Sequence, residues 1–204
     1  MAITKSANSE KTRRLVGIAL LSAIIIVLQV ICTFIKFGPF TITLALTPII
    51  IGAAIYGPLS GAFLGAVLGL VIFFAGLFGW DPATLGLIQM SSLSPLFVFI
   101  ICVVKTSVAG FVCGVVYKAI SKKNEIAASI VSSILCPVIN TAIFLVGMFS
   151  FFFSSLESWA GEQNVLLYAI TGLVGINFLV EFATVLILSV TVSRIIKIVK
   201  KNKA

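Results

Sequence analysis

The chain has 204 residues, of which 60% are apolar and 10% charged, with a net charge of +8 and no histidine; its mean hydropathy is +1.25. A soluble domain is nearer 45–50% apolar and about 25% charged, and each membrane-spanning helix takes about 20 apolar residues. The length therefore allows about five to seven spans, with no room for a soluble catalytic or nucleotide-binding domain. No GxxxxGK[ST] phosphate loop occurs, so the chain alone has no means of using ATP.

Apolar runs predict an all-α integral membrane protein, a bundle of six transmembrane helices forming one membrane domain over 1–204. The first span is expected at about 15–34, led by Lys5, Lys11, Arg13 and Arg14. It lacks an A-x-A-like cleavage site and reads as a retained helix rather than a signal peptide. The second, at about 41–56, is short and ends at Gly57-Pro58, because proline disfavours helix in the residue before it. The third follows at about 59–78, then a polar, turn-rich connection at 79–94. The fourth, fifth and sixth are expected at about 95–120, 126–153 and 165–197.

Charge fixes an orientation. Twelve of the fourteen basic residues fall before the first span, in the 118–125 loop (Lys118, Lys122, Lys123) or in the tail (Arg194, Lys197, Lys200, Lys201, Lys203). By the positive-inside rule these segments are cytoplasmic, as are both termini. Asp81, Glu157 and Glu162 then lie outside, with Lys36 their single basic counterpart. The basic excess thus reports topology and not nucleic-acid binding. Cys32, Cys102, Cys113 and Cys136 sit inside apolar spans without a CxxC pair, as small packing residues rather than metal ligands or disulfides. Glycines 57, 61, 65 and 69 recur every fourth residue, and Gly110 with Gly114 repeats the spacing, as close helix packing requires.

Two charges interrupt the apolar runs: Lys105 within 96–117 and Glu181 within 165–192. A charge at bilayer depth costs several kcal/mol unless paired or facing a wet cavity. At ~1.5 Å per residue, Lys105 lies about 15 Å below the outer end of its helix, and Asn140 about 20 Å from either end of the fifth. Asn177 and Glu181 lie about 18 and 24 Å down the sixth; four residues apart, they share a face. One ammonium, one carboxylate and two amides thus converge from three helices, under loops that carry Trp80 and Trp159. A pocket open to the outside follows. Mutual neutralisation of Lys105 and Glu181, with the amides as interhelical glue, is the structural alternative. A proton or ion relay is a third reading. Intramembrane proteolysis has no Asp pair, Ser-His or HExxH to use, so no enzyme, cofactor or metal site is expected.

The chain resembles the substrate-binding S components of energy-coupling-factor (ECF) vitamin transporters. The resemblance runs over essentially the whole length: the basic N-terminus, IALLSA at 18–23, ITLALTPIIIGAAIYGPLSGAFLGAVLG at 42–69, and CPVINTAIFLVG at 136–147. The last segment looks like the subgroup of pantothenate, folate and riboflavin binders. The resemblance implies a multi-pass protein of the bacterial plasma membrane that takes a vitamin from outside. A transmembrane T component and two ATPase subunits would then drive uptake. It assigns contact with the T component to Ala19 and Ala23. It assigns substrate binding to Phe37, Phe40, Thr41, Trp80, Asn140, Trp159, Asn177 and Glu181. Lys105 stands where related members often carry a Pro-Arg pair, and as a cation it favours a carboxylate ligand, with pantothenate ahead of folate or riboflavin. The rival function is a self-sufficient carrier or channel for a small anionic solute. Comparison of 1–100 with 101–204 shows none of the internal symmetry such carriers commonly have.

Overall fold

The computed structural model describes residues 2–35 and 43–201. Among these there is no strand. Nine α-helices follow in order: α1 Ala2–Thr33, α2 Leu46–Tyr56, α3 Pro58–Leu77, α4 Pro82–Ile88, α5 Ser94–Ile120, α6 Glu125–Phe151, α7 Phe153–Ala160, α8 Val165–Tyr168 and α9 Ile176–Lys201. A π-helical segment, Ala169–Gly175, joins α8 to α9.

Local chemistry sets the boundaries. Gly57 separates α2 from α3 with φ +96°, a left-handed conformation that glycine adopts without steric cost. Pro58, Pro82 and Pro95 occupy first-turn positions of α3, α4 and α5, where a missing N–H costs nothing. Asn124 caps α6 by accepting from Ile126 N (2.9 Å) and Ala127 N (3.1 Å). Asn164 does the same for α8 through Leu166 N (2.9 Å) and Leu167 N (3.3 Å).

Four described helices are long and apolar enough to cross a membrane: Glu10–Thr33, Pro58–Leu77, Ser94–Ile120 and Glu125–Phe151. A fifth crossing exists if Val165–Gly175 and Asn177–Ser189 are one span, bent by 45°. The sixth expected span is thus not one straight helix. Its break coincides with Gly172 and Gly175, and each helical glycine costs about 1 kcal/mol relative to alanine. The 11 residues of α2 reach only about 16 Å, half the hydrocarbon thickness. The 79–94 and 154–164 connections, expected as loops, contain α4 and α7.

The bundle is organised around α5, which packs on α2, α3, α4 and α6, while α9 closes against α2 and α6. Gly61, Gly65 and Gly69 bring α3 onto the backbone of α5: a Cβ at these positions would run into the carbonyls of Gly110, Thr106 and Cys102. The expected glycine face is therefore real, except that Gly57 serves the turn instead. Gly110 and Gly114 complete it against Gly61 and Pro58. All four cysteines are buried, free thiols.

Candidate functional site

The close α3–α5 contact fixes the azimuth of α5, and Lys105, next to Thr106, projects away from that contact into a cavity. Val98, Ile101 and Cys102 line the cavity from the same helix. The Lys105 ammonium lies over the Phe144 ring of α6, 4.8 Å from its centroid, a cation–π arrangement. Phe144 is one turn beyond Asn140, so both present the same face of α6 together with Thr141 and Met148. Opposite them stand Leu173 and Val174 of the π-helical segment and Asn177, Phe178 and Glu181 of α9. The Glu181 carboxylate accepts a hydrogen bond from the backbone N–H of Thr43 at 2.9 Å, across 138 residues of sequence.

One wall of the cavity is built by the α3–α4 turn. Gly79 takes φ +76°, and the N–H groups of Trp80 and Asp81 both reach the Ala75 carbonyl, at 2.9 and 3.2 Å. Gly76 lets α4 approach, since a Cβ there would strike the Thr84 side chain. The turn delivers Asp81 and Thr84 to the cavity wall, where Thr84 Oγ1 donates to Asp81 Oδ2 at 2.6 Å.

The cavity volume is about 70 Å³, well below the roughly 300–1,000 Å³ of sites filled by drug-sized molecules, and it opens into a wider depression continuous with solvent. Its polar lining is deeply buried: Asp81 is 2% exposed, Asn140 4%, Glu181 6% and Asn177 9%. No ion pair joins Lys105 to Glu181 among the described residues; each has another neighbour, the Phe144 ring and the Thr43 N–H.

Lys105, Asn140, Asn177 and Glu181, expected from three helices, all face this one cavity. The two tryptophans do not line it. Trp80 is 45% exposed and packs with Phe34 and Phe78, at centroid distances of 6.1 and 5.9 Å. Trp159 is half-buried against the core. Phe37, Phe40 and Thr41 lie outside the described residues. Ala19 and Ala23 are exposed on the outer side of α1, whose inner face buries Ile25, Gln29, Cys32 and Thr33. Sequence reading missed Thr43, Asp81, Thr84, Thr141 and Phe144. Phe144 was accessible from its i+4 spacing to Asn140, and Thr141 from its three-residue spacing to Phe144. Asp81-Pro82-Ala83-Thr84 carries an acidic residue and proline at a helix start, but nothing local shows that this helix turns inward. Among the described residues no group of His, Cys, Asp and Glu is arranged to hold a metal ion.

Residues 13–199 match the family model for the ECF transporter, substrate-specific component. The chain belongs to that family. No curated protein matches the sequence. The solved structure of ThiT from Listeria monocytogenes superposes on this S component with a TM-score of 0.63 at 20% identity, covering 94% of this chain and 97% of that one. At that identity the likeness shows a shared fold, and the cavity chemistry has to be read from this S component's own residues.

Proposed function

We propose that this S component captures a vitamin or vitamin precursor from outside the cell for import driven by separate subunits. The observation that carries the reading is the convergence of Lys105, Asn140, Asn177 and Glu181 on one cavity. Lys105 and Glu181 form no ion pair with each other, and charges at bilayer depth are costly for a membrane bundle to keep; a ligand that answers them removes that cost. The ammonium of Lys105 gives an anionic group a counter-charge, so the carboxylate of pantothenate is a first candidate partner, followed by folate and riboflavin.

The absence of an ATP motif assigns energy supply to partners, a T component and two ATPase subunits in this proposal. Ala19 and Ala23 are the proposed T-component contact: both are exposed, and small side chains admit a partner helix closely. The bundle is proposed to cross the membrane six times, with α2 and the segment before it as the short crossing and both termini in the cytoplasm. The deciding experiment is purification of the protein in mild detergent, followed by mass spectrometry of whatever small molecule copurifies and titration of that molecule back into the stripped protein. A vitamin bound at a ratio of one supports the reading. Failure of pantothenate, folate, riboflavin and every other water-soluble vitamin to bind would sink it.

A further inference from the structure

The cavity wall carries an excess of buried hydrogen-bond acceptors. Thr84 Oγ1 donates to Asp81 Oδ2, but Asp81 Oδ1 is buried with no hydrogen-bond partner among the described residues. Asn140 Oδ1 is in the same condition. A side-chain amide can be turned to exchange its oxygen for its nitrogen; a carboxylate cannot, so Asp81 sets the polarity demanded of the ligand. Glu181 adds a second carboxylate to the lining. The one basic residue of that lining, Lys105, is turned to the Phe144 ring and neutralises neither carboxylate through an ion pair.

We propose, resting on the reading of this cavity as the substrate site, that the substrate presents an N–H donor to Asp81. Its chemical class is a small molecule bearing an amine, an amidine or an amino-substituted heteroaromatic ring, with an acceptor or acidic end left for Lys105. The physical reason is the asymmetry of buried hydrogen bonds. A desolvated acceptor without a donor is penalised, and sites with fixed polar groups discriminate strongly against ligands that leave them unanswered. An aliphatic carboxylate alone would answer Lys105 while leaving the buried acceptor Asp81 Oδ1 without a donor. The inference moves folate, with its amino-substituted ring, ahead of pantothenate among the candidates above.

The test uses the purified full chain, stripped of copurifying ligand, with five probes applied singly: pantothenate, biotin, riboflavin, folate and thiamine. Dissociation constants come from calorimetry and melting temperatures from a thermal shift. The expected result is tightest binding by a probe with an amino-substituted ring, folate or thiamine. Tightest binding by pantothenate, biotin or riboflavin overturns the proposal and leaves the vitamin-capture reading standing. Binding by none of the five overturns the proposal, and the vitamin-capture reading falls with it only when the remaining water-soluble vitamins also fail to bind. Asp81→Asn supplies the second arm. It keeps an acceptor for Thr84 but replaces one carboxylate oxygen with a donor, so affinity for the tightest probe should fall at least about tenfold while the unliganded melting temperature is held. Unchanged or improved affinity overturns the proposal even where an amino-substituted probe binds. Should Asp81→Asn not fold, the panel on the native chain still decides.

Discussion

Lys105→Met separates a ligand contact from a structural charge. In the unliganded protein the ammonium's recorded neighbour is the Phe144 ring at 4.8 Å, an interaction worth about 0.5–2 kcal/mol. Methionine keeps most of the stem and offers a sulfur–aromatic contact of about 0.3–1.5 kcal/mol. The substitution also removes a cation held away from bulk water. The net change in stability is therefore expected within about 1 kcal/mol, a shift of about 2–4 °C by the scaling for soluble domains of this size. Binding should respond differently. A hydrogen bond to a charged group is worth about 1.5–3 kcal/mol, so loss of a Lys105–ligand contact should raise the dissociation constant by about 10- to 150-fold. Melting temperature without ligand and calorimetric affinity for the copurifying ligand, measured on Lys105→Met, Glu181→Gln and the double variant, give both numbers and their coupling. Because the two side chains form no ion pair, the double variant should not recover stability lost by either single change. A large loss of stability rescued by the double change, with affinity unaltered, would refute the reasoning and make the two residues a structural pair.

Ala19→Trp or Ala23→Trp should abolish uptake and T-component association while ligand binding by the isolated S component stays within about twofold; equal loss of binding would place this face inside the bundle's own packing. Gly86→Cys, at an exposed position where an added Cβ meets nothing within 4 Å, should in a cysteine-free background react with a membrane-impermeant maleimide from outside, and Lys122→Cys only from inside. The reverse pattern would invert the topology. Gly65→Ala, which drives a methyl into the Thr106 backbone of α5, should destabilise by about 1–3 kcal/mol, measured as a lowered melting temperature without ligand, whereas Gly86→Ala should leave that temperature unchanged. A neutral Gly65→Ala would show that α3 and α5 are not in backbone contact.

The sequence disclosed a close-packing glycine face on α3 and a second on α5, because glycine at fourfold spacing has few other uses in an apolar helix; that the two faces meet came from the structure. It also pointed to Lys105, Asn140, Asn177 and Glu181 at one level of the bundle, since rise per residue converts position in a helix directly into distance, and the four line one cavity. What it could not disclose lay where the chain leaves the regular helix. Asp81 counted as an outer-loop charge, and Trp80 beside it as a rim aromatic; the structure sends Asp81 inward and leaves Trp80 half-exposed. The backbone at Asp81 is extended, with φ −113° and ψ 98°, and extended backbone turns successive side chains to opposite sides. No hydropathy pattern encodes which of two neighbours wins the interior. The Thr43–Glu181 hydrogen bond was illegible for another reason: it joins a backbone N–H, which every non-proline residue has, to a side chain 138 positions away.

The break in the last helix bears on the same site. Residues 165–197 show an almost uninterrupted apolar run, and a regular helix would satisfy every backbone group without help. The chain instead passes through a π-helical segment, Ala169–Gly175, and bends by 45°. Leu173 and Val174 of that segment line the cavity, and Asn177 and Glu181 follow within two turns. A π-helical turn holds more residues than an α-helical one, so everything after it is rotated relative to an unbroken helix; without it, the shared face of Asn177 and Glu181 would point elsewhere. Such segments are rare inside helices and recur at functional sites. The local rule for a stable span is thus broken just before the two α9 residues that supply polar groups to the cavity, and departures of this kind concentrate where function outweighs stability.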